Sequence, residues 1–163
     1  MEAKIKNHYL RKDVINEILD YCKNRWIAIE LQRKVRTIVR YWKNKNPIEL
    51  KNEDCIKKLI VEYPNLRTIY ATVNIYKEIS AEKLRDLNNI EKTSIVIDID
   101  GSVEDFEILK KIAEIIVSKA EKYGIYKSIF LKWSGRGIHV HINENSISQE
   151  ILKNFHPLDI AYA

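Results

Sequence analysis

The sequence predicts an α/β (α+β) fold with a central mixed β-sheet flanked by helices. Segments with apolar residues at helical spacing alternate with short runs rich in Val, Ile, Thr and Tyr. The near-continuous apolar run of residues 94–100 is typical of a strand that is covered on both faces and lies centrally in its sheet. A long amphipathic segment follows it, as expected for a helix that packs on the sheet.

Length and composition indicate one small globular domain. The 163 residues are 45% hydrophobic and 31% charged, and no apolar run is long enough to cross a membrane or to act as a signal segment. Cys22 and Cys55 have no CxxC spacing and are predicted to be buried small hydrophobes. A structural zinc that they would share with histidines is the weaker alternative. We therefore expect a reduced, soluble, cytoplasmic protein without a membrane partner.

The first half of the chain contains two predicted helices among predicted strands. Residues 13–24 and 52–63 show helical apolar spacing, with Asp13 as the N-cap of the first helix. A short helix capped by Ser80 is predicted over residues 81–87, before a turn at residues 88–89. Residues rich in β-branched and aromatic side chains predict strands at 26–29, 35–42 and 67–76.

The second half begins with the strand at residues 94–100. An amphipathic helix over residues 104–123 follows and ends at Gly124 as its C-cap. Strands are predicted at 126–132 and 138–143, and Ser148 caps a last short helix that ends at about residue 154.

Two carboxylates, Asp98 and Asp100, end the predicted strand at residues 94–100. A strand has a period of two, so both side chains point the same way with Cα atoms roughly 6.5 Å apart. At this spacing they can converge on one or two divalent cations, Mg²⁺ or Mn²⁺, that in turn hold a phosphate tail. A chance strand end is the alternative, since Asp100-Gly101 is also a plain turn signal.

A glycine-bearing turn leads directly into a strand with two histidines. In Ser134-Gly135-Arg136-Gly137, the glycines let the backbone approach a ligand and the arginine can bind phosphate oxygens. His139 and His141 then share one strand face. An ordinary hairpin loop, or a zinc site formed by the histidines with Asp98, are the alternatives.

A cationic segment lies between residues 32 and 47. It contains no acidic residue and includes Tyr41 and Trp42, in a chain with a net charge of +5 and a pI of about 9.1. Basic side chains interleaved with aromatics suit a nucleic-acid backbone and its bases, and a solvated strand face with two core aromatics is an equal alternative. The candidate nucleic-acid-binding residues are Arg33, Lys34, Arg36, Arg40 and Lys43.

Asp98-Ile99-Asp100, followed by Ser134-Gly135-Arg136-Gly137-Ile138-His139, resembles motifs I and II of the archaeo-eukaryotic primase superfamily, in particular the catalytic small subunit of archaeal DNA primase. The strand at residues 70–76 resembles the family strand that precedes motif I. The resemblance implies template-directed nucleotidyl transfer on a DNA template with nucleoside triphosphates, and a large regulatory primase subunit as a possible partner. It implies catalytic, metal-binding roles for Asp98 and Asp100, triphosphate contacts from Ser134, Arg136 and His139, and auxiliary roles for Gly135, Gly137 and His141.

The sequence departs from the family pattern in three respects. Motif II carries one arginine, Arg136, where two are frequent, and two cysteines cannot form a four-ligand zinc knuckle. The third motif would supply another metal-binding aspartate, but Asp159, which follows His156-Pro157, resembles a helix start. We therefore expect residues 1–163 to form one primase-like catalytic domain without its C-terminal part. The alternatives are a non-catalytic nucleotide- or nucleic-acid-binding module and a metal-dependent phosphoesterase that uses His139, His141 and Asp98.

Overall fold

The computed structural model describes residues 2–163, which contain six α-helices and eight strands. The chain divides into two compact units, residues 1–91 and 92–163. Each unit combines helices with a three-stranded antiparallel sheet, so the predicted mixture of helices and strands is confirmed. The prediction of a single central mixed sheet is wrong, because the strands are distributed over three small sheets. Whether the chain acts as one catalytic domain stays a prediction.

The first unit builds its core on one face of a sheet with the strand order β2-β1-β3. Alternate residues of the central strand, Ile27 and Ile29, are fully buried against Ile56 and Leu59 of the third helix. The elements are α1 (Glu2–Tyr9), α2 (Lys12–Cys22), β1 (Ile27–Leu31), β2 (Thr37–Val39), α3 (Glu53–Glu62), β3 (Leu66–Ala71), β4 (Asn74–Tyr76), 3₁₀ turns at Lys83–Arg85 and Leu87–Asn89, and β5 (Ile90–Thr93), which begins in this unit.

Several predicted boundaries in the first unit are wrong. The 13–24 helix begins at Lys12, and Asp13 does not cap it, because the Asp13 carboxylate accepts hydrogen bonds from the Arg11 guanidinium. The predicted strand 35–42 contracts to β2, and Tyr41 instead forms a bridge with Pro47 across a turn. Only a 3₁₀ turn forms within residues 81–87.

The predicted strand 67–76 is interrupted between β3 and β4 by a buried arginine. The Arg25 side chain is 2% exposed, and its Nη1 donates hydrogen bonds to the carbonyls of Thr72 and Val73 at 3.0 and 2.7 Å. These two carbonyl groups bond to a side chain, and residues 72 and 73 lie outside both strands. The strand therefore ends at Ala71 and pairing resumes at Asn74.

The second unit packs one long helix on the sheet β6-β8-β7. Leu109 and Ala113 of the helix contact Ile99, Ile138 and Val140 on one face of the sheet. The elements are β6 (Ile95–Ile99), α4 (Phe106–Lys122), β7 (Ile129–Trp133), β8 (Ile138–Ile142), a 3₁₀ turn at Glu144–Ser146, α5 (Gln149–Asn154) and α6 (Pro157–Tyr162).

Two predicted helix caps in the second unit are confirmed. Gly124 has a φ of +79° and follows α4, where its N–H donates to the Glu121 carbonyl while that of Ile125 donates to Ala120, as in a Schellman motif. The Ser148 hydroxyl accepts from the Ile151 N–H at the start of α5. Asp159 lies within α6, as its sequence context indicates.

The position of β6 in its sheet differs from the prediction. Apolar continuity predicts a central strand covered on both faces, but β8 is central and β6 lies at an edge. The Asp98 side chain projects from the face opposite α4 and is 55% exposed. Ile97 lies on the face that α4 covers and is still 37% exposed, so the cover on β6 is incomplete even there. An apolar run indicates that its side chains are buried, but it does not indicate which strands lie on either side of it. In residues 2–163, no helix has the length and apolar character needed to span a membrane.

Candidate active site

The antiparallel pairing of β6 with β8 places Asp98 directly opposite His139. The Asp98 Oδ1 atom lies 3.1 Å from His139 Nε2, within hydrogen-bond distance. The carboxylate side chain is 55% exposed and the imidazole 28% exposed, so both remain accessible to a ligand. The sequence predicted each residue, and the register brings them into contact.

The third strand of the sheet adds two side chains that sequence reasoning missed. In β7, Lys132 pairs in register with His139, and Phe130 pairs with His141. The sheet face opposite α4 therefore carries an acid, two imidazoles, an ammonium group and an aromatic ring. Phe130 and Lys132 are two residues apart, as His139 and His141 are, so each pair shares one face of its strand. The hairpin between β7 and β8 then places the two pairs on the same face of the sheet.

The turn between β7 and β8 is held by the side chain of Ser134. Its hydroxyl accepts from the Gly137 N–H at 3.0 Å and lies 3.1 Å from the Gly137 carbonyl, to which it donates. The Ser134 N–H donates to that carbonyl as well, at 3.0 Å. Gly135 has a φ of +94°, in the left-handed region that glycine tolerates best. The Ser134 hydroxyl thus has a structural role within the turn.

Gly137 brings this turn against the end of β6. A Cβ atom at Gly137 would lie 2.2 Å from the Ile99 carbonyl oxygen and 3.2 Å from the Asp100 Cα. The backbone can come this close only because residue 137 has no side chain. The turn that carries Arg136 therefore adjoins the end of β6, where Asp98 and Asp100 lie.

His141 is the most buried member of the site. It is 8% exposed and stacks on Phe130 with ring centroids 4.6 Å apart and planes 13° from parallel. Within the described residues, neither ring nitrogen has a hydrogen-bond partner. Burial lowers the pKa of His141, and electrostatic repulsion from His139 and Lys132 lowers it further. The neutral imidazole is therefore favoured.

Asp98 and Asp100 are the residues that could hold a divalent cation. Asp98 lies within β6 and the exposed Asp100 follows its last residue. Two carboxylates fit the oxygen ligands that Mg²⁺ prefers, with water and phosphate oxygens as the remaining ligands. Across residues 2–163, no group of three or more His, Cys, Asp or Glu side chains is arranged to hold a metal ion.

The predicted nucleic-acid-binding residues lie in the first unit and follow the β1–β2 hairpin. Arg33 and Lys34 occupy the connection between the strands, and Lys43 lies in the turn after β2. Arg36 immediately precedes β2, where its Nε lies 3.5 Å from Glu30 Oε2, and Arg40 follows the strand. These five side chains are exposed. The candidate active site lies in the second unit.

Comparison of the chain with protein-family models finds no match, and comparison with curated proteins finds none. The site itself combines a carboxylate beside an imidazole with a glycine-rich turn that packs against the strand carrying the carboxylate.

Proposed function

We propose that the protein is a template-directed nucleotidyltransferase of the primase type. Asp98 and Asp100 would hold Mg²⁺ or Mn²⁺, and Arg136 and His139 would bind the triphosphate of the incoming nucleotide. The observation that carries the proposal is the pairing of Asp98 with His139 at 3.1 Å beside a turn that packs on the same strand end. The strands and the turn that carry the acidic, imidazole and guanidinium groups thereby meet at one end of one sheet.

Each side chain would have a distinct part in holding the nucleotide. Arg136 offers a planar set of N–H donors that can bind two phosphate oxygens at once. His139 is oriented by its contact with Asp98, which limits the rotation of the imidazole. A bound divalent cation would neutralise phosphate charge and lower the pKa of the attacking hydroxyl group. This division of labour matches the electrostatic demands of phosphoryl transfer.

Ser134 would act mainly through the turn that it closes. Its hydroxyl lies 3.4 Å from the Arg136 N and 3.0 Å from the Gly137 N, and accepts from both N–H groups. These bonds set the backbone of the turn, and with it the start of the Arg136 side chain. A direct bond from Ser134 to a phosphate would have to replace one of them. We therefore propose a positioning role for Ser134.

The proposal is tested by nucleotide binding measured calorimetrically with and without Mn²⁺. Asp98→Asn and Asp100→Asn keep the side-chain shape but remove the charge, so we expect each to weaken manganese-dependent binding by about 10- to 100-fold. Arg136→Ala should weaken binding by a similar factor, because it removes a charge-assisted contact to phosphate. Asp159→Asn is the matched control, since its exposed carboxylate lies on α6.

Equal binding by the wild type and both aspartate variants would refute the metal assignment. Primer synthesis from labelled nucleotides then separates catalysis from binding. Manganese-dependent binding without any extension product would indicate a non-catalytic nucleotide-binding module with a primase-like fold. Hydrolysis of a simple phosphate ester without nucleotide binding would instead indicate a phosphoesterase.

A further inference from the structure

The face of the first sheet that points away from its core carries a cluster of charged and aromatic groups. Glu30 lies at the centre of this face, since β1 pairs Glu30 with Ile38 of β2 and Thr68 of β3. The same alternation places Tyr70 on it, opposite Ala28. We call this surface the outer face of the first sheet. It comprises Ala28, Glu30, Ile38, Thr68 and Tyr70, with Arg36 and Arg67 attached to Glu30.

Glu30 organises two arginines on the outer face. Its carboxylate accepts from the Tyr70 hydroxyl at 2.7 Å and from Arg67 Nη1 at 3.2 Å, and lies 3.5 Å from Arg36 Nε. The hydrogen bond from Tyr70 lowers the pKa of Glu30, and the two arginines lower it further. The carboxylate is therefore ionised at neutral pH, and it holds both guanidinium groups on one side of the sheet.

The arginines remain available to a ligand despite this contact. The Arg36 and Arg67 side chains are 71% and 62% exposed, whereas the Glu30 side chain is only 9% exposed. A guanidinium has five N–H donors, more than its contact with Glu30 uses. The charge of the cluster is positive, because two arginines face one carboxylate. Arg33, Lys34 and Arg40 add positive charge along the adjoining hairpin, where residues 31–48 contain no acid.

The aromatic groups of this surface decide which polyanion it suits. The Tyr70 ring is 39% exposed and is held by the bond from its hydroxyl to Glu30. Tyr41 is 40% exposed at the end of the hairpin, where its ring meets Trp26 edge to face at 5.6 Å. Exposed rings beside arginines suit unpaired bases that stack while phosphates bind the cations. In a duplex, the bases are already paired and stacked.

We propose that the outer face of the first sheet binds single-stranded nucleic acid, with phosphates on Arg36 and Arg67 and a base stacked on Tyr70. This inference rests on the proposed function, for which it names the surface that holds the template strand. It extends the predicted basic segment of residues 33–43 with Arg67 and Tyr70, which come from another strand. Glu30 is the positioning residue, since it contacts Arg36 of the basic segment as well as Arg67 and Tyr70.

The test is fluorescence anisotropy with a labelled single-stranded thymidine oligonucleotide of about 12 nucleotides, without metal or nucleoside triphosphate. Arg67→Gln should weaken binding at least about 5-fold and reduce the slope of log K against log salt by about 0.7, the value for one lost phosphate contact. Lys57→Gln is the charge-matched control. Lys57 is paired with Glu53 at 2.8 Å on α3, which packs on the other face of the sheet, so this variant should bind within about 2-fold of the wild type.

A second pair of variants tests stacking separately from charge. Tyr70→Leu removes the ring and should weaken binding about 5- to 160-fold, the range for one stacked base. Tyr70→Phe keeps the ring and loses only the hydroxyl, so we expect it to retain most of the affinity. Circular dichroism and thermal melting establish that each variant is folded.

Three results would overturn the inference. Equal weakening by Lys57→Gln and Arg67→Gln would mean that only net charge matters. An unchanged affinity in Tyr70→Leu would eliminate the stacking site. Equal affinity for a duplex of the same length, with the same variant effects, would indicate a double-strand surface. Because the oligonucleotide assay contains neither metal nor nucleoside triphosphate, failure of the proposed nucleotide site and failure of this surface are distinguishable.

Discussion

The imidazole of His141 shows how one side chain can make the stability of the protein depend on pH. Its ring stacks on Phe130 and is 8% exposed, and among the described residues its nitrogens have no hydrogen-bond partner. Burial removes the water that would stabilise a charged imidazolium, and the facing groups, His139 and Lys132, repel a further positive charge. The folded state therefore favours the neutral form.

We expect His141 to destabilise the protein as the pH falls below about 6.5. The pKa in the folded state is lowered from 6.5, so below that pH the unfolded chain binds more protons than the folded chain. Stability is then lost as the pH falls toward the lowered pKa. The measurement is urea denaturation between about pH 8 and pH 5. His141→Phe, which can keep the stack on Phe130, should reduce the pH dependence by up to about one proton.

The control for this prediction is His8→Gln, which removes an exposed imidazole from the first unit. The stability of His8→Gln should depend on pH as that of the wild type does, also in the pH range where His141→Phe shows a reduced dependence. A profile for His141→Phe that is identical to that of the wild type would show that the buried imidazole is not the group responsible.

At the scale of single elements, the first turns of α3 and α2 show when a side chain caps a helix and when it does not. Asn52 caps α3, and its side chain accepts from the Cys55 N–H at 3.1 Å. Asp13 has an equally suitable side chain, but an ion pair with Arg11 engages it and α2 begins one residue earlier. A cap depends on a local bond, and a neighbouring charge can compete for the same oxygen atoms.

Removal of the Asn52 cap should destabilise the protein by about 1 kcal/mol. In Asn52→Ala, the N–H of Cys55 loses its side-chain partner at the start of α3, a helix that supplies Ile56 and Leu59 to the core. Asn52→Ser supplies another oxygen acceptor and should retain most of the stability. Chemical denaturation of both variants measures the difference. A serine variant as unstable as the alanine variant would show that the side-chain bond is not what matters.

At the scale of the whole molecule, each unit has its own apolar core. In the first unit, Ile15, Ile27 and Ile56 belong to one buried cluster that includes Cys22, which is 4% exposed. In the second, Val140 is fully buried beneath α4 together with Leu109. Burial raises the pKa of the Cys22 thiol to about 11, although Arg25 opposes the shift. Cys22 and Cys55 are both free thiols, and Cys22 is a core residue, as predicted.

We expect the thiol of Cys22 to report unfolding of the first unit. At about pH 8 it is protonated and buried, so a disulfide reagent should modify it at least about 100-fold more slowly in the native protein than in denaturant. Cys55→Ala isolates this thiol, and Cys22→Ala isolates the partly exposed Cys55 for comparison. Rapid native modification of Cys22 in the Cys55→Ala variant would contradict the buried position.

The sequence by itself predicted the features that depend on neighbours along the chain. The helix over residues 52–63, the long helix that ends before Gly124 and the strand over residues 138–143 all appear, within two residues at most termini. The sequence also predicted that His139 and His141 lie on the same face, because this follows from the alternation of side chains along one strand. These features follow from hydrophobic period, capping bonds and backbone preferences, which act over a few residues.

Only the tertiary structure decided which strands lie side by side. It placed β6 at an edge, set Asp98 opposite His139, packed Gly137 on Ile99, and joined Glu30 to Arg67 from a strand 37 positions away. Strand order and register depend on contacts between distant segments, and a shift of one residue would turn every side chain to the other face. The residues of the candidate site could therefore be predicted from the sequence, whereas the residues that contact them were established only by the tertiary structure.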